Sequence, residues 1–494
     1  MSKLTVLLTT EGTYPFHKGG VSTWCDVLIR QLPEIDFLVF AVMMHPYLTP
    51  QYPLPRNLKQ LVKVPLWGLT DPLEFSWRYP LTDALAIKEA TTTAVITEHF
   101  LPLFTKLLQS IHTFSDTFTA AVPTELAELF TQMHTFFQQF DYHATLHSAP
   151  VWQTFHQSFQ HGLATQQPTL AEAVQALQLL YHFLLVLHFP VPRADLSHAA
   201  AAAFCGLPCV IAKLRYGTPY LLTEHGIYLR EQYLNLGKQI SSHFVRRFLY
   251  QLISIVVTTN YHCADQISPV CHYNTRWEKW WHIPANRIQV IYNGADPERF
   301  YPATSPPQNP RPLVATVGLI FPLKGTLDLI AAAHLVHQQL PSVEFRVYGH
   351  ASDTAYFAEC QTQVAALKLQ ATFIFAGSTN NPCQVYQMAD IVVLPSISEG
   401  FPYVIIEAML AGAAIVATDV GGVREALADT GLVVPPRQPA AMATALLTLL
   451  TNPEHRQHLG QRAHQRARQH FTEAQFLAAH RTTYQRLTQS THLD

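Results

Sequence analysis

The sequence predicts an α/β protein built from two parallel-sheet domains, and three observations carry that prediction. From Leu313 onward, short apolar runs (Val343 to Tyr348, Thr372 to Ala376, Ile391 to Leu394, Ile415 to Ala417, Leu432 to Val434) alternate with helical stretches, the pattern of a parallel sheet covered on both faces. A Pro-rich segment over 301–312 reads as a linker between compact units. Ahead of it strand-like runs recur from residue 4, and 494 residues are enough for two or three cores. The expected domains are 1–300, with a helical insertion over about 75–190, and 313–470, followed by a last helical segment over 471–494.

In the first domain, strand 4–9 leads into Glu11-Gly-Thr-Tyr-Pro-Phe-His17-Lys18-Gly19-Gly20-Val-Ser-Thr-Trp24 and a helix through Leu32. Paired glycines opening a helix let backbone approach a ligand closely, although taken alone a plain turn is the default reading of them. Phe37 to Met43 reads as the second strand. The Phe-, Leu-, His- and Gln-rich block over 75–190 has helical spacing and no catalytic constellation, so packing is its expected use. Asp195 to His198 and Leu221 to Gly226 read as strands ending in polar turns, which brings His198 and His225 to the edge that carries the glycine loop. Ile253 to Thr258 and Gln266 to Val270 read as further strands. Asn274 and Arg276 follow, then the segment Arg287 to Phe300.

The second domain opens with strand Leu313 to Val317 and a turn carrying Lys324-Gly325, where a cation is well placed to neutralise a diphosphate. Its centre is Ile391-Val-Val-Leu-Pro-Ser-Ile-Ser-Glu399-Gly400-Phe401-Pro-Tyr-Val-Ile-Ile-Glu407-Ala-Met-Leu-Ala-Gly412. The apolar run is a strand buried on both faces, Pro395, Gly400 and Pro402 punctuate its exit, and a helix starts near Pro402. Glu399 in the turn and Glu407 within the helix's first two turns reach the strand's carboxyl end, the edge where open parallel sheets bind ligands. Two carboxylates there suit the hydroxyls of a sugar nucleotide. Solvated surface acids are the plain alternative, but Glu407 lies among Ile405, Ile406, Met409 and Leu410, and a buried acid needs a partner.

The run Ser-Glu399-Gly-Phe-Pro with Glu407-Ala-Met-x-Ala-Gly, followed by Asp419-Val-Gly421-Gly422-Val-Arg424-Glu425, resembles the Glu-x7-Glu signature of retaining glycosyltransferase family four. The glycine loop together with Thr223-Glu224-His225-Gly226-Ile-Tyr228-Leu-Arg230-Glu231 is similar to the PelF branch of that family, whose members act in Pel-type exopolysaccharide synthesis. The resemblance spans nearly the whole chain and is weakest over the helical block. It implies a GT-B fold, two Rossmann-like domains facing a cleft, with the last helix crossing back to the first domain. It further implies transfer of a hexose from a nucleoside diphosphate sugar, expected to be UDP-linked, to a growing glycan, with retention of configuration. Glu407 would hold the ribose, Lys324 the diphosphate, and Glu399 the hexose beside the backbone of Gly400 and Phe401. Gly19 and Gly20 would lie across the cleft from the diphosphate, and either His198 or His225 would stand against the hexose. The family carries Arg where this chain has Leu319, so either Lys18 or Arg276 compensates or the donor site is weakened. No Asp-x-Asp motif suggests a bound metal, and no cofactor is expected.

Composition limits the alternatives. A formal charge of −2 gives no electrostatic case for nucleic acid. Seven scattered cysteines are unlike a disulfide framework. His262-Cys263 with Cys271-His272 lacks the close ligand pairing of a zinc site. With no apolar run of membrane length recognised, a cytoplasmic protein is expected, with peripheral association at the inner membrane left open and polysaccharide synthesis or export proteins as candidate partners. The rival readings are an inactive scaffold of the same fold, for which Leu319 speaks, and a sugar-nucleotide epimerase, for which no acid/base pair is found.

Overall fold

The computed structural model describes residues 3–69, 71, 80–114, 121–159, 167–305 and 309–490. The chain forms two compact units, one of Met1–Pro269, Trp277–Gln289 and Thr482–Asp494, the other of Val270–Arg276 and Val290–Arg481. Residues 290–300, expected with the first domain, thus belong to the second unit. The reason is local: Ala295 N–H bonds Phe471 O at 3.0 Å, and Asn293 Nδ2 donates to Phe401 O at 2.9 Å. The Pro-rich segment therefore lies inside this unit, and its residues 306–308 fall outside the described residues. The long C-terminal helix Glu473–Ser490 starts in the second unit and ends in the first.

The first unit holds β1 (Thr5–Glu11), β2 (Asp36–Met43), β3 (Leu58–Pro65), β4 (Leu196–Ala199), β5 (Tyr220–Glu224) and β6 (Gln266–Pro269). Every pairing in this sheet is parallel, in the order β3-β2-β1-β4-β5-β6. The second unit holds β7 (Leu313–Val317), β8 (Glu344–Tyr348), β9 (Phe373–Gly377), β10 (Ile391–Leu394), β11 (Ile415–Thr418) and β12 (Leu432–Val434), also all parallel, in the order β12-β11-β10-β7-β8-β9. The chain winds outward from β1 and from β7 in both directions. The loops that leave β1 and β4, and those that leave β7 and β10, therefore part at a topological switch point.

Strand β10 shows why a short apolar run suffices. Ile391 and Val393 enter one core cluster while Val392 and Leu394 enter another, so both faces of the sheet are dry. One expected strand fails and one strand was missed. Ile253 to Thr258 is not a strand: it lies inside the helix His243–Cys263, capped by Ser242 Oγ on Val245 N–H and buried around its whole circumference from Leu252 to Tyr261. A continuous β-branched run gives the same signal in a buried helix as in a buried strand. Edge strand β3 escapes the sequence reading because Lys59-Gln60 and Lys63 interrupt its apolar residues, leaving neither a continuous apolar run nor a strict alternation.

The insertion is helical where described, from Leu81–Ala90 through Leu101–Thr113, Ala121–Phe137 and Leu170–Leu184, while residues 72–79, 115–120 and 160–166 lie outside the described residues. Its Phe100, Phe104, Phe130 and Phe155 join the first unit's core. Contrary to the expectation that no run has membrane length, Leu170–Leu187 is long and apolar enough by composition to cross a membrane. Its Ala173, Ala176, Leu180 and Leu184 are buried in this unit.

Candidate active site

In the second unit the loops leaving β7 and β10, neighbours across the switch point, come into contact. The turn Pro322–Lys324 ends at Gly325, which takes φ +64° and whose Cβ would stand 2.1 Å from Pro395 O, so only glycine lets the two loops meet. Ile397 N–H then bonds Leu323 O at 2.8 Å. Lys324 Nζ donates to Glu399 Oε1 at 2.6 Å, and Ser396 Oγ donates to the same oxygen at 2.6 Å. A third loop closes on them from β11. Gly421, at φ +56°, would place a Cβ 2.1 Å from Glu399 O, and Gly422 N–H bonds Gly400 O at 2.7 Å.

Phe401 is buried, its ring 5.2 Å from that of Tyr292 and 5.3 Å from that of Phe471, so it anchors the loop and has only backbone to offer a ligand. The helix Tyr403–Leu410 has no side-chain cap at its N-terminus and no acid in its first turn, so its positive dipole end is uncompensated by a local acid and suits an anion. One turn on, Glu407 Oε2 accepts from Tyr386 Oη at 2.9 Å. Desolvation raises the Glu407 pKa, and the Tyr386 hydrogen bond and the Arg299 charge oppose that shift. Tyr386, from the helix Pro382–Met388, is the buried partner that the sequence required but did not reveal: it lies 21 residues from Glu407 in a loop-rich stretch with no pattern linking them.

Leu319, in the loop leaving β7, is 43% exposed. Arg276 stacks on Tyr273, 3.8 Å from the ring centre, and the backbone of its segment is held by Glu425, which accepts from His272 N–H at 2.9 Å and Tyr273 N–H at 3.2 Å. A separate cavity of about 710 Å³, lined in part by Asp390, Arg456 and His464, opens at the amino ends of β10 and β11, the opposite edge from Lys324 and Glu399. Asp390 there serves structure, taking Arg456 Nη2 at 2.9 Å and Leu313 N–H at 2.9 Å.

In the first unit, Lys18, Gly19 and Gly20 are exposed at the start of the helix Gly20–Gln31. Gly19 is extended, and a Cβ there would meet nothing within 4 Å. His225 follows β5 directly, with Trp24 edge-on at 4.8 Å between ring centres. His198 does not emerge at the strand end as expected. It lies within β4 at 0% exposure, with Nδ1 2.7 Å from Tyr484 Oη and Nε2 2.8 Å from Thr223 Oγ1, because β4 runs one residue past it between two fully paired neighbours. Glu224 is buried beside the buried carboxyl of Glu278, whose pKa desolvation raises. Glu231 closes on Gly226, where a Cβ would fall 2.2 Å from its Oε1. Glu11 accepts from Tyr228 Oη at 2.7 Å and Cys205 N–H at 3.0 Å, tying the end of β1 to the segments that follow β5 and β4. None of the seven cysteines is in a disulfide, and among the described residues no group of three or more His, Cys, Asp or Glu could hold a metal ion.

Two parallel sheets of this topology define a GT-B fold, and with this loop arrangement the class is that of the GT-B glycosyltransferases. The chain belongs to the family described as Domain of unknown function (DUF3492), whose model matches residues 4–281, and residues 298–466 match Glycosyl transferases group 1. Alpha-maltose-1-phosphate synthase of Mycolicibacterium smegmatis is 29% identical over 339 residues, 63% of this chain and 84% of that protein. Several other curated relatives are matched over less than half of their own length. Sucrose-phosphate synthase from Thermosynechococcus elongatus shares the fold with a TM-score of 0.62 at 17% identity, over 99% of this chain and 100% of that one. Anabaena HepE in complex with UDP-glucose does so with a TM-score of 0.58 at 16% identity, over 97% of this chain and 99% of that one.

Proposed function

We propose that this glycosyltransferase moves a hexose from a nucleoside diphosphate sugar, UDP-linked, to a growing glycan with retention of configuration, in exopolysaccharide synthesis. The observation that carries the reading is the meeting of Lys324 with Glu399 at the switch point, one short helix away from the Tyr386-held Glu407. In this reading Glu407 accepts from the ribose hydroxyls. Lys324 and the positive dipole end of the helix Tyr403–Leu410 stabilise the charge that develops on the departing diphosphate. Glu399 accepts from hexose hydroxyls beside the backbone of Gly400 and Phe401. Of the two histidines we assign catalysis to His225, since both ring nitrogens of His198 are already in hydrogen bonds. Lys18, Gly19, Gly20 and Arg276 are assigned to donor binding on the resemblance alone. The nucleotide in the HepE complex and the sugar-phosphate products named for two relatives support a sugar-nucleotide donor.

Calorimetric titration of the wild type and Glu407→Ala with UDP, GDP and ADP, without and then with magnesium, tests this reading. UDP is expected to bind the wild type without metal, and the variant to lose at least about tenfold in affinity, the effect of one charge-assisted contact or more. Folded wild type that binds no nucleotide would overturn the donor site and favour an inactive scaffold marked by Leu319.

A further inference from the structure

We infer that Glu399 has a second role. By holding Lys324 it penalises a nucleoside diphosphate that carries no sugar, so that the spent nucleotide is bound less well than the donor. The inference rests on the donor-site reading above and adds a specificity-determining role to it. Lys324 Nζ and Glu399 Oε1 are 2.6 Å apart, and both side chains are partly withdrawn from water, at 29% and 11% exposure. Phe321 flanks the ammonium at 5.9 Å from its ring centre. A diphosphate that takes Lys324 as its cation must approach an ionised carboxylate within a few ångströms and compete with it for the same N–H donors.

The loop cannot relieve this by moving away. Its backbone is fixed at Ile397 N–H to Leu323 O (2.8 Å), Thr418 Oγ1 to Ser396 O (2.5 Å) and Gly422 N–H to Gly400 O (2.7 Å), and the Cβ-free faces of Gly325 and Gly421 press on Pro395 O and Glu399 O. Adjustment is therefore confined to the two side chains. An intact donor brings hexose hydroxyls that donate to Glu399 and replace the lysine it gives up, which leaves only Ser396 Oγ as a shared partner. Free nucleoside diphosphate brings no such replacement. The pair thereby favours donor over product and speeds product release.

The experiment is a binding cycle on the full chain. UDP and the best bound of UDP-glucose, UDP-galactose and UDP-N-acetylglucosamine are titrated into wild type, Glu399→Gln, Lys324→Met and the double variant, with thermal melts to confirm folding. Glu399→Gln, which keeps shape and removes charge, is expected to bind UDP about three- to tenfold more tightly than wild type, as for loss of a partly exposed ion pair's competition. It should gain nothing on the sugar nucleotide, and its gain on UDP should vanish in the Lys324→Met background. Unchanged or weaker UDP binding by Glu399→Gln overturns the inference while leaving the donor site standing. So does an equal gain on the sugar nucleotide, or a gain that survives without Lys324. If neither folded wild type nor Glu399→Gln binds any of these nucleotides, the donor-site reading falls and this inference with it.

Discussion

Glu407 is an acid in a helix of otherwise apolar side chains, and its environment works against its charge. Desolvation raises its pKa above 4.5, while Tyr386 Oη and Arg299 lower it in part. A carboxyl whose folded pKa is raised stabilises the fold fully only below its unfolded pKa, and that contribution is lost as pH rises through the folded one. At neutral pH an ionised Glu407 therefore costs stability, which argues that it is kept for a ligand. A sugar-nucleotide ribose needs the carboxylate as acceptor, so nucleotide affinity should fall as pH falls through the Glu407 pKa. Tyr386→Phe removes the 2.9 Å hydrogen bond that favours the charged form and should move that acid limb to higher pH. Titrations of UDP from about pH 5 to pH 8 check this, and an unshifted limb with uniformly weaker binding would reduce Tyr386 to a packing role. The need for such a partner was legible from Ile405, Ile406, Met409 and Leu410 around the acid. Its identity was not, because the tyrosine comes from a different helix and packs by tertiary contact alone.

At the scale of elements, the strand, turn and helix around Glu399 were legible because each signal agreed with the next: a four-residue apolar run, a turn punctuated by Pro395, Gly400 and Pro402, and a helix beginning at Tyr403. The helix His243–Cys263 was not, since Ile253-Ser-Ile-Val-Val-Thr satisfies a buried strand and a buried helix alike, and only its packing decides. His198 was misplaced for a related reason. A strand's end sets whether its last polar residue is buried or presented, and boundaries are the weakest part of a pattern reading. The same logic marks Gly421 as an element-level requirement. Alanine there meets Glu399 O at 2.1 Å and must hold φ +56°, so Gly421→Ala should cost roughly 2 kcal/mol or more and displace the Glu399 turn. The expected outcome is a lowered melting midpoint together with loss of sugar-nucleotide affinity exceeding tenfold, measured on the folded fraction. Gly19, with open space at its Cβ, should tolerate alanine without a comparable loss of stability.

At the scale of the whole molecule, the division into two units puts separate cores under the two sheets, one in the first unit and two in the second. Domain number and class were legible in the alternation of strands and helices, whereas the crossover at Val290 was not, because Asn293, Gly294 and Ala295 commit to the second unit through contacts with residues far along the chain. The residues of the second unit contain no tryptophan, while six of the seven tryptophans, Trp24, Trp67, Trp152, Trp277, Trp280 and Trp281, belong to the first and Trp77 lies outside the described residues. Tryptophan fluorescence therefore reports melting of the first unit, and calorimetry reports both. A ligand held by Lys324, Glu399 and Glu407 stabilises the second unit by RT ln(1 + [L]/Kd), about 2.7 kcal/mol at a hundredfold excess over Kd. In a unit of this size that amounts to a rise of roughly 5 °C or more in its midpoint. We expect saturating UDP to shift a calorimetric transition by that amount and the fluorescence midpoint by less, and Glu407→Ala to abolish the calorimetric shift. Coincident shifts by both probes would mean that the units melt as one cooperative body, and a shift seen by fluorescence alone would move the nucleotide site to the first unit.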